Sequence, residues 1–316
     1  MDKGGRVNNP ASLFVVRIII LGSAAGGGVP QWNCGCRNCL AARAAGVGRT
    51  QSSMAVSADG DRWVLLNASP DLRQQVAAHR ALWPRGLRES PIAAAVLTDA
   101  EIDHTVGLIL LREAAAPFPV YAPAGITTLL RDQWPLFRVL ASYAGVEARG
   151  LPDGDRVTLR DVAGRDLGLE CTTVSVARRP PRYASRAPAG SFDVGLRFAD
   201  PRTGGTFAYI PTAGAVDGSV HALAAGVDLL CFDGTFWSDD ELPAAGIAAP
   251  GARAMGHLPV GGPGGSLTAL PALGAKRTVL VHINNTNPIL DRSSPERARV
   301  EAAGIEIGED GMEFEV

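Results

Sequence analysis

No apolar stretch in this sequence is long enough to cross a bilayer. The longest early run, Leu13–Leu21, is far shorter than a spanning helix and is interrupted by Arg17. An excess of either charge is also missing. Thirty Lys and Arg face 32 Asp and Glu, a net charge of -2, so nothing argues electrostatically for nucleic acid or an anionic membrane as a bulk partner. Nor is there a secretory pattern. Met1–Ser12 is polar and glycine-bearing, reads as an irregular N-terminal extension (residues 1–12), and leads to the expectation of a cytoplasmic protein. The five cysteines do not make a disulfide framework, being odd in number and unevenly placed. Cys171 and Cys231 sit alone in apolar runs and read as buried thiols. Finally, the glycine-rich stretch after the first strand completes neither the dinucleotide fingerprint nor the P-loop.

What is present describes a globular chain. Of 316 residues, 46% are hydrophobic and 20% charged, enough to build a sizeable core. The 37 glycines and 22 prolines predict short elements joined by tight turns. Leu13–Leu21 (LFVVRIIIL) is continuous and β-branched, as in a strand buried on both faces. Ser52–Ser57 and Arg62–Asn67 alternate around an Asp-Gly turn and predict a hairpin. A helix over Pro70–Leu82 follows, then a strand at Pro91–Leu97. FPVYAP and GITTLLRDQW read as strand and helix. Further strands are expected at Arg156–Leu159, Leu167–Val176, Asp193–Ala199, Gly205–Ile210, Val227–Phe232 and Arg277–Val281, with a short helix near Gly218–Ala225. No repeat or linker divides the chain, so residues 13–316 are expected to form one domain.

Chemistry concentrates in three places. VLTDAEIDHTVGLILLRE (Val96–Glu113) is a strand end, a loop dense in ligands, and a helix. Asp99, Glu101, Asp103 and His104 fall within six residues there. They can serve a metal ion, or Asp103 can simply cap the helix. The second place is Cys34, Cys36 and Cys39, a C-x-C-x-x-C spacing. Three thiolates can take three corners of a tetrahedral zinc site at about 2.3 Å each, a structural rather than catalytic site once a fourth ligand closes it. The third is a late set of loops. His257 lies in MGHLPVGGPGG, where a packing role is hard to justify, and His282 ends a strand before INNTNP. His79 and His221 sit within helical patterns; His79 reads as an exposed or capping residue and His221 as a structural one. The aperiodic ARRPPRYASRAPAG carries Arg178, Arg179, Arg182 and Arg186, a basic loop suited to an anionic ligand or simply to solvent.

The order of strands, acidic loop and late histidines resembles the metallo-β-lactamase superfamily. The resemblance implies an α/β fold in an αββα arrangement: two facing mixed sheets, helices outside, metals along one edge. Where that superfamily reads H-x-H-x-D-H, Asp99 and Glu101 take the two leading histidine positions, while Asp103 and His104 match. His282 matches the late strand-end histidine, and His257 the loop histidine of the tRNA-processing branch. More closely, the chain is similar to the protein B family of pyrroloquinoline quinone (PQQ) biosynthesis. That similarity is carried by GSAAGGGVPQWNCGCRNC, NASPDLR, IDHTVGLILLRE, DGTFWSDDE, MGHLPVGG, HINNTNPIL and GIEIGEDGMEFEV. A sister branch of phosphodiesterase-like proteins shares the cysteine loop and completes its zinc with a histidine, where this chain has Asn285.

Dinuclear zinc hydrolysis needs imidazoles that this sequence lacks, and carboxylates in their place make a harder, oxygen-rich set. One carboxylate and two imidazoles remain: Asp103, His104 and His282. Such a set suits Fe(II), or another divalent metal, with open positions for O2 and substrate. His257, Glu101 and Asp99 are the candidate catalytic groups, and Arg178, Arg179 and Arg182 the candidate substrate-binding ones. The resemblance implies an O2-dependent hydroxylase acting on the tyrosine ring of the Glu–Tyr cross-linked, peptide-derived precursor. It also implies the other PQQ-pathway proteins as neighbours; a homodimer is compatible. Two other classes fit the resemblance: a non-catalytic carrier that transports PQQ or its precursor, and a phosphodiesterase-like hydrolase.

Overall fold

The computed structural model describes residues 15–176 and 180–316. Fourteen strands form two mixed sheets of seven among these residues. In chain order the first sheet takes β1 (Arg17–Gly22), β2 (Ser53–Ser57), β3 (Trp63–Leu66), β4 (Ile92–Val96), β5 (Phe118–Ala122) and β6 (Val146–Gly150). The second takes β7 (Arg156–Arg160), β8 (Asp166–Ser175), β9 (Val194–Ala199), β10 (Thr206–Ile210), β11 (Leu229–Asp233), β12 (Arg277–Val281) and β13 (Glu306–Ile307). The last strand, β14 (Glu313–Glu315), returns to pair with β1, so the first sheet runs β14-β1-β2-β3-β4-β5-β6 and the second runs from β13 to β7 in descending order. In each sheet antiparallel strands give way to a parallel set, β3 to β6 in one and β10 to β13 in the other.

Side-chain alternation explains the layering. Phe207 and Tyr209 of β10, Leu229 and Cys231 of β11, and Val279 and Val281 of β12 face the first sheet and pack with Ile18, Ile20, Met54 and Leu65. Between them point Ala208 and Ile210, Leu230 and Phe232, and Leu280, onto the outer helices Gly218–Ala224 and Pro295–Ala302 through Val220, Leu223 and Val300. Every second residue is thus committed to one layer, and all are apolar because parallel strands are covered on both faces. A buried hydrogen bond of 2.9 Å between Ser52 Oγ and Tyr209 OH ties the sheets together. This is the expected αββα sandwich. No helix among the described residues is long and apolar enough to cross a membrane.

Several element boundaries differ from expectation. The helix after the acidic loop is a single α-turn, Ile102–Thr105, followed by a 3-10 stretch, Val106–Glu113. Gly107 explains the change. Its N–H donates to Ala68 O at 2.9 Å, and a Cβ there would lie 2.1 Å from Ser69 O. Backbone contact with the neighbouring loop therefore takes precedence over helical regularity. The helix expected over Pro70–Leu82 is likewise split, into Leu72–Ala78 and a 3-10 turn, Arg80–Leu82. Strands β6, β13 and β14 were not signalled by alternation. β6 is a polar edge strand, and the other two are only two and three residues long.

Candidate metal centre

The site gathers at the carboxyl ends of β4, β11 and β12. Parallel strands deliver their last residues to one edge, and the loops that follow are free to carry polar groups. From β4 the chain passes through Thr98 into Asp99. Asn67, at the end of β3, holds this turn: its Oδ1 accepts the Thr98 N–H at 3.0 Å and its Nδ2 donates to Thr98 Oγ1 at 2.9 Å. From β12 the chain enters His282, whose φ of 56° is left-handed. For a histidine that conformation is uncommon and persists only where the surroundings enforce it.

Asp103, His104 and His282 converge, with one ligand atom from each lying within 4.8 Å of the others. Asp103 Oδ2 is 3.8 Å from His104 Nε2 and 3.6 Å from His282 Nε2. The helix-capping alternative for Asp103 does not hold. Glu101 is the N-cap residue, and Asp103 sits in the first turn with its carboxylate turned to the imidazoles.

Partners behind each ring decide which nitrogen faces the centre. His104 Nδ1 donates to Asp99 Oδ2 at 2.7 Å, leaving Nε2 buried with no hydrogen-bond partner among the described residues. A buried, unpaired ring nitrogen costs free energy unless something ligates it. Thr235 Oγ1 lies 2.7 Å from Asp233 Oδ1 and 2.7 Å from His282 Nδ1. Its single proton goes to the carboxylate, so the hydroxyl accepts from Nδ1–H and His282 presents a bare Nε2. His257 Nδ1 bonds Asp233 Oδ2 at 2.8 Å, and its ring stacks on His282 with centroids 5.4 Å apart. A second set of possible ligands, Asp233, His257 and His282, therefore overlaps the first at His282. Carboxylate-backed imidazoles with a free nitrogen toward a common point are how proteins prepare histidines for a metal.

The electrostatics favour a cation at that point. Burial works against charging His104, yet the Asp99 and Asp103 carboxylates outweigh it and raise the ring to about 10. Asp103 is half-buried, and the charge on the neighbouring His104 ring holds its carboxyl below the usual carboxylate range. Burial lowers His282, keeping it a neutral imidazole. A field that holds a proton so firmly on an imidazole also draws a metal ion, and the mixed oxygen and nitrogen donors suit iron, manganese or zinc.

Glu101 lines the same cavity. Asp99, placed by its sequence among the catalytic candidates, instead has both carboxylate oxygens occupied, by His104 Nδ1, Thr98 Oγ1 and the Glu101 N–H. It holds His104 in place. Arg182 lines the cavity with the apolar Phe192, Phe236 and Met255. Arg178 and Arg179 lie outside the described residues.

Four residues of the site escaped the sequence reading. Asp233 and Thr235 orient two histidines; the signal was an Asp-Gly-Thr ending a buried run parallel to β12. Gly26 packs on Asp103, and a Cβ there would lie 3.0 Å from Oδ2. The glycine-rich stretch is thus a wall of the metal site. Asp193 also lines the cavity, with a buried Oδ1 that has no partner among the described residues.

Cys34, Cys36 and Cys39 form a separate group whose sulfur atoms lie within 4.8 Å of one another. Backbone N–H groups of Gln31 and Cys36 point at Cys39 Sγ and Cys34 Sγ, at 3.3 and 3.4 Å. His79 and His221 are in neither group: His79 follows the helix Leu72–Ala78, and His221 is exposed on Gly218–Ala224.

Comparison with known proteins identifies the family. A sequence model of the beta-lactamase superfamily domain matches residues 62–283. The chain is 45% identical over 304 residues to coenzyme PQQ synthesis protein B of Methylococcus capsulatus, covering 94% of this chain and 99% of that one. To the protein of the same name from Cupriavidus necator it is 44% identical over 304 residues, covering 94% and 98%. The crystal structure of Zn(2+)-bound PqqB from Methylobacterium extorquens superimposes with a TM-score of 0.85 at 41% identity, covering 95% of this chain and all of that one. A diphosphatase of the PhnP family shares the fold, with a TM-score of 0.66 at 22% identity. With metal-binding geometry, superfamily fold and full-length identity in agreement, the chain belongs to the coenzyme PQQ synthesis protein B family, within the metallo-β-lactamase superfamily.

Proposed function

We propose that this protein is a metal-dependent oxygenase of PQQ biosynthesis, hydroxylating the tyrosine ring of the Glu–Tyr cross-linked precursor derived from the PqqA peptide, in the cytoplasm. The observation that supports it most is the pairing of one carboxylate with two imidazoles whose free Nε2 atoms meet it, in a fold whose two leading histidines are here Asp99 and Glu101. Asp103, His104 and His282 would hold the ion. Fe(II) in such a set supplies the redox chemistry by which O2 and an electron donor add oxygen to an aromatic ring.

The residues around the ion have separable tasks. Asp99, and Asp233 through Thr235, keep His104 and His282 in the tautomers that leave Nε2 free. Phe192, Phe236 and Met255 offer an apolar wall for the substrate ring. His257, with Nδ1 committed to Asp233, has one nitrogen left to exchange a proton with the phenol, and Glu101 is placed in the same cavity to do so. Arg182 pairs with a substrate carboxylate, with Arg178 and Arg179 as further candidates. The cysteine cluster holds a structural zinc outside the chemistry.

Hydrolysis is disfavoured by the same observation: two carboxylates stand where a dinuclear zinc centre needs imidazoles, and Asp99 is spent on His104. The test is mass spectrometry of the Glu–Tyr substrate after incubation with anaerobically iron-loaded protein and a reductant, with and without O2. The reading expects one added oxygen atom, only with O2. No mass gain, together with tight substrate binding by metal-free protein, would replace the oxygenase by a carrier.

A further inference from the structure

The stretch leading into β9 brings opposite charges to one cavity. Arg182 and Asp193 both line it, with Phe192 beside them. Backbone groups fasten this stretch at two points to the acidic segment of the metal centre. Tyr183 OH donates to Ala100 O at 2.7 Å, and the Val194 N–H donates to Thr98 O at 2.8 Å, where Asp193 bridges Asp99. Gln133 Oε1 accepts the Ser185 N–H at 2.8 Å, and the Tyr183 ring meets Trp134 edge-on with centroids 5.5 Å apart. Both charges are thus placed by the fold before any ligand arrives.

Asp193 has no task in the metal centre. It is 7% exposed, and its Oδ1 is buried without a hydrogen-bond partner among the described residues. A buried carboxylate is costly unless a cation or a donor meets it. The nearby imidazole N–H groups are spent elsewhere, His104 Nδ1 on Asp99 and His257 Nδ1 on Asp233. Nor is the central ion its partner, since Asp193 belongs to none of the converging ligand groups among the described residues. Burial, and then the Asp99, Glu101 and Asp233 carboxylates, push its carboxyl well above the usual range, against the pull of His104. What the position lacks is a positive group brought from outside.

We propose that Asp193 receives an ammonium group of the substrate while Arg182 takes a carboxylate, so that the cavity recognises a zwitterionic amino acid rather than a simple anion. Such recognition rests on the Glu–Tyr substrate proposed above and goes further, in naming the group that the acidic wall reads. An ammonium brings three N–H donors and a charge, which make strong bonds to a carboxylate. Arg182 alone would accept any phenol that carries a carboxylate. Asp193 adds discrimination, because a ligand without the ammonium leaves a buried polar group unpaired.

Calorimetric titration of full-length protein loaded with Fe(II), without O2, reads binding separately from turnover. The probes are the Glu–Tyr cross-linked diamino acid and two analogues, each with hydrogen in place of one α-ammonium. Wild type is expected to bind one analogue roughly tenfold or more weakly than the diamino acid. In Asp193→Asn, which keeps the shape without the charge, that loss is expected to shrink below about threefold. The wild-type comparison stands even where the variant folds poorly. Equal affinity of wild type for all three probes overturns the assignment. So does an undiminished loss in Asp193→Asn, since a merely structural Asp193 would weaken every probe alike. No binding of the diamino acid removes the substrate reading and the ammonium site together. The expected discrimination, with no oxygen added once O2 is admitted, keeps the ammonium site and removes the oxygenase.

Discussion

Asp99 accepts the Nδ1–H of His104 at 2.7 Å, and both side chains are shut away from solvent. In this fold's usual signature a histidine stands at that position and binds metal directly; here the position has moved back one shell and acts through a neighbour. Asp99→Asn keeps the shape and removes the charge. We expect it to weaken metal binding at the Asp103–His104–His282 site by about 10–100-fold, the usual range for such partners. Competition titration with a metal indicator reads this directly, leaving the cysteine site as an internal control.

Single replacements His104→Ala, His282→Ala and Asp103→Ala each remove a donor from the converging set. Elemental analysis of purified variants is expected to show loss of the active-site ion with zinc at the cysteines retained. Equal loss of both ions would mean that the two sites are not separable.

Gly26 gives a test that leaves every ligand in place. A methyl there meets Asp103 Oδ2 at 3.0 Å and Cγ at 3.2 Å, so the carboxylate must shift. Gly26→Ala is expected to retain its thermal midpoint within a few degrees and to bind the active-site metal at least several-fold more weakly. Calorimetric titration checks both the affinity and the stoichiometry.

Glu241 predicts a pH dependence of stability outside the metal site. Burial pushes it up to about 7, against an ordinary value of 4.5, although Thr286 Oγ1 and the Trp237 N–H bond its carboxylate. Below 4.5 folded and unfolded states are both protonated and nothing is lost. As pH rises toward 7 the unfolded chain ionises first, so stability falls, by about 3 kcal/mol in total, and then levels off. Glu241→Gln can present an oxygen to Trp237 and an N–H to Thr286 Oγ1. It should match wild type near pH 4.5 and exceed it at pH 8 in denaturant unfolding of metal-free protein.

Strand ends announced much of the centre, and side-chain partners did not. Asp103, His104 and His282 were legible because each follows a short apolar run, where a buried strand must give way to a polar loop. Asp233 ends such a run as well. Its purpose emerges only when β11 lies parallel beside β12 and His257 returns to it 24 residues later. Asp99 could be seen but its direction could not, since a carboxylate two residues before a glutamate can face either the metal or the imidazole behind it. The two facing sheets came from the family resemblance, since β10 to β12 are buried on both faces and show in the sequence as apolar runs without alternation. The 3-10 stretch after the acidic loop was not legible, because its cause is the carbonyl of Ala68, a residue distant in sequence.

The most direct test of the central claim is anomalous diffraction at the iron edge from crystals loaded anaerobically with Fe(II). The account predicts one iron peak bounded by Asp103 Oδ2, His104 Nε2 and His282 Nε2, with Asp99 outside the coordination sphere. Iron bound only at the cysteines, or a peak ligated by Asp99 and Glu101 without His104, would contradict it.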